Sequence, residues 1–185
     1  RLATNKFPIM CCTRYGNVIG SRGSVIPLFI NQALKGERMT ITDPKMTRFL
    51  MTLDESVELV LYAFKKAVQG DIFVQKSPAT NIKNLALAIK EIFNSSSKIE
   101  IIGTRHGEKL YETLISREEM SRVSSLKRHF VISADTRDLN YEKYFTKGIE
   151  KISKSEDYNS HNVKLLGKED VKKTLMQLDF VREYL

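Results

Sequence analysis

Residues Thr13 to Pro27 read T-R-Y-G-N-V-I-G-S-R-G-S-V-I-P, and few backbones can accommodate that stretch. Before it lies an apolar run, Phe7 to Cys12, with the composition of a buried strand. After it comes an apolar segment opened by Ser24, with Pro27 in the first helical turn, where a missing N–H costs little. Between them stand three glycines (Gly16, Gly20, Gly23), two arginines (Arg14, Arg22) and the carboxamide of Asn17. Glycines admit close backbone approach, and a helix N-terminus with arginines nearby suits an anion. Strand, polar glycine loop and helix form the usual ligand-binding edge of an α/β domain.

The rest of the chain alternates in the same way. Val25 to Lys35 reads as a helix closed by Gly36, and Met39 to Thr42 as a short strand before the Asp43-Pro44 turn. Thr47 to Met51 alternates as a half-buried strand that carries Arg48. Thr52 to Glu55 has capping-box form, and the helix behind it shows a stripe of Val57, Val60, Leu61, Phe64 and Val68. Asp71 to Gln75 is expected as a buried strand. Thr80 or Asn81 then caps a helix with Ile82, Leu85, Ala86, Ile89 and Phe93 on one side. Ile99 to Ile102 reads as another strand. The polar cluster Gly103 to Lys109 follows it, then an amphipathic helix carrying Leu110, Leu114 and Ile115. His129 to Ser133 completes the strands, and a terminal helix places Val171, Leu175 and Leu178 together. This alternation predicts an α/β or α+β fold rather than a bundle, with residues 1–135 as the main body and 136–185 as a polar C-terminal arm.

Composition narrows the function. With 185 residues, 42% of them hydrophobic, the chain can bury a core. No apolar run approaches the roughly 18 residues needed to span a bilayer, and no secretory signal is visible, so membrane insertion is not expected. Cys11 and Cys12, adjacent on a strand, point to opposite faces and do not pair; a reducing, cytoplasmic setting fits. Three scattered histidines offer no metal-ligand spacing. The net charge of +8 is dispersed rather than gathered on a face with interleaved aromatics, which argues against nucleic acid as partner. A phosphate-bearing small molecule needs only two or three placed cations. Arg48 and Arg105 are candidates to clamp a diphosphate, and Glu108 to accept hydrogen bonds from a ribose diol. No catalytic constellation is visible: there is no nucleophile elbow and no phosphate-cradling P-loop. The first residues, Arg1-Leu2-Ala3, look like the end of a helix, as if the chain began inside something larger.

The segments R-Y-G-N-V-I-G-S-R-G-S-V-I-P, M-T-R-F and R-H-G-E-K-L-Y-E, with the tail D-Y-N-S-H-N-V-K-L-L and L-D-F-V-R-E-Y, resemble extended short-chain dehydrogenase/reductases acting on nucleotide sugars. The similarity is to the capsular-polysaccharide branch, which holds UDP-N-acetylglucosamine 4,6-dehydratases and proteins called UDP-sugar 4-epimerases. The resemblance implies the C-terminal part of a Rossmann-like fold with its substrate-binding subdomain. The N-terminal Rossmann half, its NAD or NADP fingerprint and the catalytic residues would lie upstream of Arg1. It places Tyr15 and Gly16 at the nicotinamide end of the cofactor and Asn17 on the substrate's phosphate or sugar. Ser24, Val25 and Pro27 would lie around the uracil, Arg48 and Arg105 on the diphosphate, and Glu108 on the ribose. It implies a UDP-sugar substrate, a 4-keto intermediate and a 4,6-dehydratase outcome, with 4-epimerisation as the alternative. It also implies a hexameric or dimeric homo-oligomer for the full-length protein. A non-catalytic remnant or interaction module is the reading from another class.

Overall fold

The computed structural model describes residues 8–135 and 155–185. In chain order the elements are β1 (Cys12–Arg14), α1 (Val25–Leu34), β2 (Met39–Ile41), β3 (Thr47–Phe49), α2 (Leu53–Lys66), β4 (Ile72–Gln75), β5 (Ala79–Asn81) and α3 (Ile82–Ile92). Then follow β6 (Ile99–Ile101), β7 (Thr113–Ile115), α4 (Arg117–Met120), β8 (Val123–Ser125), β9 (His129–Ile132), β10 (Tyr158–Asn159), α5 (Lys168–Met176) and α6 (Asp179–Arg182). The expected helical end at Arg1 to Ala3 and the lysine-rich part of the arm within 136–154 lie outside the described residues. Among the described residues, no helix is long and apolar enough to cross a membrane. Nor does any group of three or more His, Cys, Asp or Glu there have metal-holding geometry.

The chain divides into two compact units. The first takes in 1–15, 54–76 and 113–159; the second takes in 16–53, 77–112 and 160–185.

The first unit is built on a four-stranded sheet in the order β1-β4-β9-β8, with β1 parallel to β4 and the other pairs antiparallel. Helix α2 lays Leu59 and Ala63 on Phe73, with Tyr62 and Val131 alongside. This differs from the sequence expectation. Val57, Leu61, Phe64 and Val68 are exposed, Phe64 at 83%, and the buried face is Ser56, Leu59 and Ala63. The helix carries two apolar sides, and the side with the small residues Ser56 and Ala63 lets its backbone approach the sheet. The strand expected at Phe7 to Cys12 is also displaced, to Cys12–Arg14, and Ile9 and Met10 are exposed. β1 is an edge strand with a partner on one side only among the described residues, so nothing there covers the preceding apolar run. The thiols of Cys11 and Cys12 are free and exposed.

The helix expected over Leu110, Leu114 and Ile115 is instead strand β7, paired antiparallel with β10. Leu114 and Ile115 are buried while Leu110 is 47% exposed. A spacing of four between two leucines gave the helical signal, and strand pairing overrode it. The turn is completed by α4, whose N-cap Ser116 and Glu119 form a reciprocal capping box.

Arg14 locks this unit internally. Its Nη1 and Nη2 donate to the Glu119 carboxylate at 2.7 and 3.0 Å, and Nη1 also donates to the Leu114 carbonyl at 2.7 Å. The hydrogen-bonded guanidinium holds the Glu119 carboxyl below its ordinary value of 4.5. A carboxyl depressed on folding contributes stability above its unfolded value and loses that contribution as pH falls through the folded one. Glu119→Gln should therefore lower the melting temperature at pH 7, with the gap to wild type closing as pH drops below about 4. Paired melts across pH 3–7 check this; a gap that stays constant refutes it.

The second unit packs one large core. Helix α1 contributes Ile26, Phe29, Ile30 and Ala33, and β2 contributes Met39 and Ile41. Helix α3 adds Ile82, Leu85, Ala86, Ala88 and Ile89, and the C-terminal segment adds Val171, Leu175 and Val181. The expected stripe of α3 is in place, and Asn81 is its cap, accepting from Asn84 N–H at 2.7 Å. The sheets are short: β2 runs parallel to β6, and β3 antiparallel to β5. Helix α5 docks on α3, where Lys168 and Lys172 share Glu91.

Candidate functional site

The second unit holds a cavity of about 330 Å³. Five stretches of chain line it, β2 and α3 contributing Thr40 to Thr42, Ile82 and Leu85, and the other three carry the polar groups singled out from the sequence. The first is the glycine loop running into α1. Val18 bridges to Met51, and Ile19 N–H donates to the Met51 carbonyl at 2.9 Å, which pins the loop at the end of β3. Gly20 and Gly23 take positive φ (77° and 74°), so the chain turns back on itself before the helix starts. A side chain at Gly20 would in addition collide with the Phe180 ring. Ser24 then begins α1 as its N-cap, as expected from the sequence. Its Oγ makes no capping bond and is buried without a partner among the described residues. A buried hydroxyl in that condition is costly unless a ligand or water satisfies it.

The second stretch is β3, which carries Arg48. Its Nη1 donates to the Thr47 carbonyl and its Nη2 to the Lys109 carbonyl, each at 2.8 Å. The Glu112 carboxylate lies 3.8 Å from Nε. The side chain is 17% exposed, so the cost of placing an arginine here is offset by these acceptors. One N–H on each of Nη1 and Nη2 is left for a further acceptor.

The third stretch is the turn after β6. Gly103 and Gly107 both take positive φ, folding Arg105 and Glu108 together. No Arg105–Glu108 ion pair forms. Instead Glu108 Oε2 accepts the Arg105 backbone N–H at 3.1 Å, and Oε1 lies 3.3 Å from Thr42 Oγ1. The Arg105 guanidinium has no ion-pair partner among the described residues.

Six of the residues singled out from the sequence line this one cavity: Asn17, Ser24, Val25, Arg48, Arg105 and Glu108. Pro27, in the first turn of α1, does not line it, and Tyr15, 42% exposed, and Gly16 lie outside the lining as well. Gly16 is instead packed on Phe49, where an added Cβ would meet the Phe49 Cβ at 2.4 Å. His106 is exposed and outside the lining. Sequence reasoning missed Thr42, which reaches Glu108, and Glu112, Lys109 and Thr47, which hold Arg48. Backbone carbonyls leave no trace in residue type: Lys109 acts through its carbonyl, and Glu112, seven residues after Arg105, is the one that acts through a charged side chain.

Residues 2–134 match the family model described as "Polysaccharide biosynthesis protein", and residues 135–182 match "Polysaccharide biosynthesis protein C-terminal". The chain belongs to the polysaccharide biosynthesis protein family. It is 57% identical over 185 residues to a UDP-glucose 4-epimerase of Rickettsia rickettsii (strain Sheila Smith), covering 100% of this chain and 54% of that one. It is 59% identical over 177 residues to a UDP-glucose 4-epimerase of Rickettsia bellii (strain RML369-C), covering 96% and 52%. The chain thus spans about half the length of the curated relatives it matches. Among solved structures it is similar to Pen from Bacillus thuringiensis, with a TM-score of 0.77 at 33% identity over 92% of this chain and 49% of that one. DesIV, the dTDP-glucose 4,6-dehydratase of Streptomyces venezuelae with NAD and TYD bound, gives a TM-score of 0.50 at 19% identity. It covers 54% of this chain and 33% of its own, a likeness of fold alone. The α/β fold is that of the extended short-chain dehydrogenase/reductases, and the chain matches about half of such a protein.

Proposed function

We propose that this chain carries the sugar-nucleotide-binding part of an enzyme that modifies a UDP-sugar for surface polysaccharide or lipopolysaccharide in the cytoplasm. The observation that carries this reading is the convergence of Asn17, Ser24, Val25, Arg48, Arg105 and Glu108 on one cavity. At about 330 Å³ it lies at the small end of the range for ligand sites. Its contents suit a nucleoside diphosphate. Arg48 retains a free pair of donors, Arg105 is uncommitted, Glu108 offers an acceptor for hydroxyls, and Ser24 presents an unsatisfied hydroxyl at the start of α1. Charge-assisted contacts of arginine with phosphate are the strong kind, and two arginines match a diphosphate.

The chemistry we attach to this site is transient oxidation of the sugar at C4, for which NAD or NADP accepts and returns the hydride. Tyr15 and Gly16 are the residues here that would approach the cofactor. We assign no catalytic acid or base to the chain. The relatives named UDP-glucose 4-epimerase favour 4-epimerisation as the outcome. The motif resemblance to UDP-N-acetylglucosamine 4,6-dehydratases keeps that second reading open. Product analysis on a protein containing this chain separates them, because only the dehydratase yields a 4-keto-6-deoxy sugar.

Calorimetric titration of the chain with UDP tests the binding reading directly. Saturable binding is expected. A chain that is folded yet indifferent to UDP would overturn it and bring forward the interaction-module reading.

A further inference from the structure

The tail motif D-Y-N-S-H-N has no part in the cavity lining, yet its serine is completely buried. A serine hydroxyl has one donor and two acceptor sites. At Ser160 all three are used. The Glu112 backbone N–H donates to Oγ at 3.0 Å, the Thr47 hydroxyl lies 2.7 Å from Oγ, and Oγ donates to the Thr47 carbonyl at 3.2 Å. Either hydroxyl can be the donor in the 2.7 Å bond. The Ser160 backbone N–H also donates to the Glu112 carbonyl at 2.9 Å, so the two residues are tied in both directions.

These bonds converge on Arg48. The Thr47 carbonyl has two lone pairs; one receives the Ser160 hydroxyl and the other receives Arg48 Nη1. The remaining groups that hold the guanidinium are the Lys109 carbonyl and the Glu112 carboxylate. Both lie on the short segment that Ser160 grips at Glu112. One buried hydroxyl therefore touches the carbonyl on one side of the guanidinium and anchors the segment on the other. A serine buried merely for packing needs no such arrangement, since alanine would fill the space without a polar group to satisfy.

We propose that Ser160 is a positioning residue for Arg48, fixing the direction of its guanidinium and hence the phosphate grip of the cavity. The use of UDP as probe rests on the proposed function; the geometry of Arg48 does not.

Two readouts on this chain test it. The first is the Arg48 Nε–H signal in proton–nitrogen spectra, assigned by its loss in Arg48→Lys. In wild type it should be shifted from the position of exposed arginines and slow to exchange with solvent. Ser160→Ala and Thr47→Val should both return it to the exposed position, and Thr47→Ser, which keeps the hydroxyl, should preserve it. The second is affinity for UDP compared with uridine. Ser160→Ala should weaken UDP roughly tenfold, the weight of one hydrogen bond, and leave uridine unchanged. In an Arg48→Lys background it should add nothing. An unmoved Arg48 signal in folded Ser160→Ala, or equal losses for UDP and uridine, overturns the proposal. Should Ser160→Ala not fold, the Thr47→Val and Thr47→Ser pair decides. Should wild type ignore UDP, the nucleotide reading fails and the Arg48 signal alone decides the positioning.

Discussion

Arg48→Ala is expected to weaken UDP binding by about 1.5–3 kcal/mol for each phosphate hydrogen bond lost, a factor of roughly ten to two hundred apiece. The guanidinium is pre-set by the Thr47 and Lys109 carbonyls, so little of its binding energy goes into ordering the side chain. Arg48→Lys is the sharper variant. It keeps the charge but lacks the fork, and a point charge cannot both reach two fixed carbonyls and span two phosphate oxygens. Its UDP affinity should fall nearly as far as that of Arg48→Ala. Calorimetry with UDP and with uridine checks this: the loss belongs to the diphosphate, and a matching loss for uridine would mean the cavity itself had been damaged.

Phe73→Ala should be the most destabilising of the substitutions considered, at about 3–5 kcal/mol. The ring is 1% exposed beneath Leu59 and Ala63 of α2, and it meets the Tyr62 ring edge-on at 5.8 Å between centroids. Such an aromatic pair adds to plain area burial. Phe64→Ala is the control, the same change at a ring 83% exposed on α2, and should shift stability by no more than about 0.5 kcal/mol. Chemical denaturation of the two variants side by side measures the difference. Equal effects would mean that α2 packs by the face the sequence stripe predicted.

That contrast shows what the sequence carried and what it did not. Periodicity identified α2 as a helix but chose the wrong side. Val57, Leu61 and Phe64 are larger and more apolar than Ser56 and Ala63, and hydropathy alone cannot see that small residues permit close approach. Helix α3 was read correctly because it has one apolar face and a polar cap. At Leu110 to Ile115 the period was ambiguous, and pairing with Tyr158–Asn159, more than forty residues later, settled it as a strand. The cavity was more legible than the core around it. Glycines with positive φ, an N-cap serine and arginines in apolar surroundings are chemical exceptions that stand out in a string of letters. What holds Arg48 did not stand out, because it consists of two main-chain carbonyls and the carboxylate of Glu112, and the tail motif D-Y-N-S-H-N carries no sign of what its serine touches.

The two units are each assembled from three segments, taken alternately along the chain. For a ribosome delivering the chain from its N-terminus, this sets an order of events. The second unit begins with the glycine loop and α1, yet its core lacks Val171, Leu175 and Val181 until those residues emerge, more than 130 positions after α1. Ser160, beneath Arg48, also arrives late. Most of the residues lining the cavity are therefore synthesised well before the residues that lock them in place. Neither unit can be cut out as a continuous stretch, and closing such long loops before any contact repays them makes for slow, late folding. Until then the apolar faces of α1 and α3 remain open to chaperones and to other nascent chains.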